Sequence, residues 1–109
     1  MKNYILIIRE DITKSRPEEE LKEIIALHVN WAKELSDKGI FVDGWGLNEK
    51  GCLLELENGS IASKPIPQPE NAFGGFYIVQ ANNIEEAIDI GKDCPTFSIG
   101  DKLEVRELI

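Results

Sequence analysis

The chain has 109 residues, 42% of them hydrophobic and 29% charged, with a formal net charge of −8. That is the length of one small domain, expected to span residues 1–109, with the composition of an ordinary globular chain. The acidic surplus is not interrupted by any Lys/Arg cluster, which argues against nucleic acid and anionic membrane as partners, because both require a positive surface.

The N-terminal run Ile5 to Ile8 is apolar and ends abruptly at Arg9, Glu10 and Asp11. It predicts a central strand over residues 2–9. The run is too short for a secretory or membrane-spanning segment, so the cytoplasm is the expected location. Ser15-Arg16-Pro17-Glu18 predicts a helix start, with Ser15 as cap and Pro17 in the first turn. Glu18, Glu19 and Glu20 place negative charge at the positive end of the helix dipole. The helix should run to Lys38, with Gly39 as its left-handed stop. Leu21, Ile24, His28, Trp31 and Leu35 recur at helical spacing and define one stripe.

Residues 40–47 predict a second strand, bulged at its glycines. Asn58-Gly59, flanked by residues 51–56 and 60–62, predicts a hairpin with a type I′ turn. Pro65, Pro67 and Pro69 space out a loop that reaches Asn71, the kind of segment on which function is often carried. Phe73 to Ala81 predicts a third main strand. Asn83 and Glu86 cap a second helix that ends near Gly91, Cys94-Pro95 opens a turn, and Lys102 to Leu108 alternates as a final strand. The order β-α-β, hairpin, β-α-β predicts an α+β fold of ferredoxin-like βαββαβ type with an inserted hairpin. Both helices then lie on one face of a four-stranded antiparallel sheet. The other face is left open and favours a homodimer.

Gly74-Gly75-Phe76, Ala81, Glu86-Ala87, Cys94-Pro95 and Glu104-Val105-Arg106 carry a resemblance to the YCII-related, DGPF-type family. His28 and Trp31 match a His-x-x-Trp of one branch, and Leu35, Gly39, Gly44 and Leu47 fit as well. The family's Asp-Gly-Pro-Phe turn is altered. Pro65 aligns with its proline, but Ser63, Lys64 and Ile66 stand at the other three positions, and Gln68, Glu70 and Asn71 replace the charged run that follows. The resemblance implies a dimeric α/β barrel with a cleft near the first helix, and a histidine, sometimes paired with an aspartate, as the reactive group.

His28 is the sole histidine. Its ordinary pKa lies near neutrality, which suits general acid/base work. Asp43, beside Gly44, and Asp93, before Cys94-Pro95, are its candidate acidic partners. Trp31 and Trp45, with Phe73, are candidates to line an apolar pocket, and Arg106 is a candidate to hold an anionic ligand. Cys52 and Cys94 lack metal-binding or redox spacing and are expected to be reduced and mostly buried. No metal and no cofactor are expected. The expected partners are a second copy of the chain and a small-molecule ligand. Two functions remain in view: an enzyme using His28, and a non-catalytic ligand-binding or protein-interaction module.

Overall fold

A computed structural model describes residues 1–11, 16–48, 50–67 and 71–109. Its elements are β1 (Lys2–Asp11), α1 (Glu18–Asp37), β2 (Phe41–Gly46), β3 (Leu53–Glu57), β4 (Ser60–Lys64), β5 (Asn71–Ala81), α2 (Ile84–Gly91), a short 3-10 helix (Pro95–Ile99) and β6 (Lys102–Glu107). The main sheet has the order β2-β5-β1-β6, with antiparallel pairing throughout. With two helices added, this is an α+β architecture consistent with the ferredoxin-like fold. The hairpin β3-β4 forms a separate two-stranded sheet.

Local chemistry accounts for most element ends. Gly39 adopts φ +75°, the Gly39 amide donates to the Ser36 carbonyl and the Ile40 amide to the Leu35 carbonyl, closing α1 in a Schellman motif. The N-terminus of α1 differs from expectation. Pro17 is the cap residue, one position before the first turn, and it supplies no side-chain bond. The expected cap, Ser15, lies outside the described residues, as do Glu49, Gln68, Pro69 and Glu70. At α2 the Asn83 side chain accepts from the Glu86 amide at 2.8 Å. Asn58 and Gly59 have φ +49° and +82°, as a type I′ turn requires.

The bulges fall in other places than expected. In β2 the register slips between Phe41 and Asp43, so the extra residue is Val42 rather than a glycine. Gly44 stays paired with Tyr77, and a Cβ on it would meet the Phe76 carbonyl at 3.0 Å. In β5 the slip leaves Gly74 without a β1 partner, between Phe73 opposite Arg9 and Gly75 opposite Ile8.

Strand alternation sorts the sheet residues by face. Tyr4, Leu6 and Ile8 of β1 and Tyr77, Val79 and Ala81 of β5 are buried beneath the helices, where Trp31 and Leu35 of α1 and Ala87 of α2 meet them. The opposite face carries Ile5, Ile7, Phe76 and Ile78, with Arg9, Glu104 and Arg106 beside them. No described element covers it. The α1 stripe is not uniformly buried: Trp31 and Leu35 are enclosed, Ile24 and His28 are half-buried, and Leu21 is 46% exposed. The first half of the helix therefore packs less closely on the sheet than the second, and a cleft lies beneath it. Among the described residues, no helix is long and apolar enough to cross a membrane.

Candidate functional site

The cleft is a cavity of about 200 Å³ between α1 and the β1–β5–β2 end of the sheet. Ile8, Ile24, Val29, Ala32 and Phe41 give it an apolar wall. Among the described residues, three ionisable side chains reach it: His28 from the helix, Tyr77 from β5 and Glu10 from β1.

His28 and Tyr77 form a pair. His28 Nδ1 lies 2.5 Å from the Tyr77 hydroxyl, which is also 3.3 Å from the His28 backbone carbonyl. One arrangement satisfies both contacts. Nδ1–H donates to the phenol oxygen, the phenol O–H donates to the carbonyl, and Nε2 is left as the basic nitrogen. The Trp31 ring meets Tyr77 edge-on, with centroids 4.8 Å apart at 86°, and holds the phenol from behind. Burial lowers the His28 pKa, partly opposed by the charge of Asp101. Burial also raises that of Tyr77, so the phenol stays protonated and serves to orient the imidazole.

Glu10 extends the helix-facing row Tyr4, Leu6, Ile8 to the cavity rim. The residue as a whole is solvent-accessible, but its carboxyl folds back over Gly74, where a Cβ would overlap it. Burial and the charge of Asp101 raise its pKa, and Arg16 pulls the other way. Arg16 is itself held by Glu20 and the Ile99 carbonyl, each at 3.0 Å, which ties the start of α1 to the 3-10 helix.

The other candidates lie elsewhere. Trp45 is on the rim and 68% exposed. Trp31 is core, behind Tyr77. Asp43 belongs to the open face of β2, opposite Ile78, and its carboxylate accepts from the Gly44 amide at 2.8 Å. Asp93 lines a second depression with Trp31, Lys38 and Ile40, outside the His28 cavity. Arg106 is on the open face, with Nε donating to Glu104 at 2.6 Å. Phe73 stacks beneath Arg9, 4.7 Å from its guanidinium. Neither aspartate lines the His28 cavity, where the carboxyl group among the described residues is that of Glu10.

Sequence reasoning overlooked Tyr77 and Glu10. Period-two counting could have found both, because Tyr77 shares a face with Val79 and Ala81, and Glu10 with Tyr4, Leu6 and Ile8. Among the described residues, no group of three or more His, Cys, Asp or Glu side chains is arranged to hold a metal. Cys94 is buried and free, with its thiol pKa pushed up to about 11, whereas Cys52 is exposed, contrary to the expectation for it. In the altered loop, Lys64 is clasped by Glu55 at 2.6 Å and by Glu57, and Pro65 to Pro67 do not line the cavity.

No curated protein matches the chain. The model of one family, the YCII-related domain, matches residues 3–109. That span takes in the helix bearing His28 and every strand of the sheet, so the chain belongs to the YCII-related family.

Proposed function

We propose that the protein is a cofactor-free enzyme that uses His28 as general acid/base on a small organic molecule. The observation that carries this reading is the His28–Tyr77 pair. The single histidine stands on the wall of an apolar cavity, with one ring nitrogen held and the other left to face a ligand. An imidazole that burial keeps neutral is a base near neutral pH. The test uses the one imidazole signal that this chain gives in NMR. A midpoint below the ordinary value, shifted further by one member of a metabolite pool, is the expected result. A signal that neither titrates between about pH 5 and 8 nor responds to any pool would defeat the reading.

A binding module without catalysis is the second reading. What favours it is the signature loop, where Ser63, Lys64 and Ile66 replace the family residues and Lys64 is engaged within its own hairpin. A ligand that shifts His28 but is recovered chemically unchanged would decide for it.

The proposal includes a cytoplasmic homodimer formed through the open sheet face. The hairpin adds to that surface. By alternation Leu54, Leu56 and Ile61 share one of its sides, at 62%, 70% and 67% exposure, while Glu55, Glu57 and Lys64 occupy the other.

A further inference from the structure

We propose that Glu10 is the second proton-handling residue of the cavity, whose apolar wall suits small carbonyl compounds. This deepens the reading above and rests on it. Glu10 comes from the sheet and His28 from the helix, so a molecule in the cavity lies between an acid and a base. The carboxyl has a built seat. Gly74 is the unpaired bulge residue of β5, and the space that a Cβ would take there is filled by the Glu10 side chain. A bulge beside a site re-aims a side chain, and here it makes room for the Glu10 carboxyl at the cavity.

The lining and the size of the cavity narrow the ligand class. Among the described residues, the cavity lining contains no lysine or arginine, and the charge of the buried Asp101 acts on both Glu10 and His28. Arg106 is on the far face of the sheet, whereas Arg16 lies close enough to Glu10 to lower its pKa. Among the groups around it, Asp101 favours the protonated form of Glu10, Arg16 opposes that, and burial adds to the first. As for size, an apolar protein cavity of about 150 Å³ accepts benzene. The 200 Å³ here suits a molecule slightly larger.

An acid and a base on opposite sides of a carbonyl compound perform enolisation. His28 Nε2 takes a proton from the carbon next to the carbonyl. The C–H electron pair becomes a C=C bond, the C=O π pair moves to oxygen, and oxygen takes the Glu10 proton. The products are the enol, an imidazolium and a carboxylate. Return of the protons to the same carbon gives exchange, and return to another carbon gives isomerisation. Nothing is oxidised or reduced.

The test is deuterium uptake into cyclohexanone in D2O, followed by NMR together with the His28 signal. The wild-type chain should accelerate uptake. Glu10→Gln should slow it at least about tenfold, given that one positioned acid or base typically contributes 10²–10⁴-fold, while cyclohexanone still shifts His28. Gly74→Ala, which keeps the carboxyl but removes its seat, should slow uptake as well, and Glu10→Asp should retain part of it. Equal uptake by Glu10→Gln and wild type overturns the role of Glu10 and leaves His28 its own. A wild-type chain inert to cyclohexanone, whose His28 still responds to another metabolite, overturns the carbonyl assignment alone. A His28 that answers nothing removes the underlying reading too.

Discussion

His28 couples the site to folding. Burial holds its pKa below 6.5 in the folded chain, so between the two values the unfolded chain binds more protons and stability rises with pH. As pH falls, the loss begins near about 6.5, the unfolded value, and is complete below the folded one. Glu10 has the opposite sign. Its folded pKa lies above 4.5, so its contribution is present below about 4.5 and fades as pH rises through the folded value. Thermal unfolding between about pH 7.5 and 5.5 should therefore show a declining Tm in wild type and a flatter profile in His28→Gln. Identical slopes would contradict a half-buried imidazole. Tyr77→Phe removes the oxygen that holds Nδ1. A cost of about 1–3 kcal/mol is expected from the unpaired group, read in chemical denaturation, with a mixture of imidazole tautomers in the nitrogen spectrum. A tautomer ratio unchanged from wild type would mean that the phenol does not orient the ring.

The elements are held by local devices whose loss has a definite cost. Asn83→Ala deletes the side-chain acceptor of the Glu86 amide and should destabilise by about 1 kcal/mol, a fall in Tm of roughly 4–8 °C. Gly75→Ala should cost more, because its Cβ would stand 2.7 Å from the Trp45 carbonyl and force β2 away from β5. A Tm drop smaller than that of Asn83→Ala would show that the strands can part cheaply. Devices of this kind are legible in a sequence because they act within a few residues: Asn83 with Glu86, Gly39 after Lys38, Asn58 with Gly59. The succession of elements along the chain followed from them. What was not legible depends on fit between distant segments. Leu21, Ile24, His28, Trp31 and Leu35 form one helical stripe by spacing, and nothing in that spacing says that its first half stands clear of the sheet. Tyr77 lies 49 residues from His28. Asp43 stands beside Gly44 and Asp93 before Cys94-Pro95, but strand register and helix end turn them from the cavity. The carboxyl that reaches it is on β1, where it read only as the charged end of a strand.

At the scale of the molecule, the radius of gyration is 15.7 Å, against about 13 Å for a compact chain of this length. The principal extents are 48 × 37 × 18 Å. The excess reflects the β3-β4 hairpin, an arm whose apolar side no described element covers. A two-stranded hairpin is marginal alone in water, and a sheet with an apolar face gains by covering it. A second copy offers both surfaces at once: its own open face for this one, and an apolar row for the arm. A standard interface needs about 800 Å² from each partner, an area in keeping with a four-stranded face extended by the arm. The homodimer should appear in light scattering at micromolar concentration as twice the 12.2 kDa chain mass. Ile5→Asp is the discriminating variant. Ile5 faces outward between Ile78 and Arg106, so an aspartate there has a cross-strand cation in the folded monomer and none of the apolar contact that a dimer needs. It should leave the circular dichroism of the fold intact and bring the mass to that of one chain, while Leu56→Ser in the arm should weaken association by less. A wild-type chain that scatters as a monomer, with the open face in water, would rule out the dimer and leave the His28 cavity to be judged within a single chain.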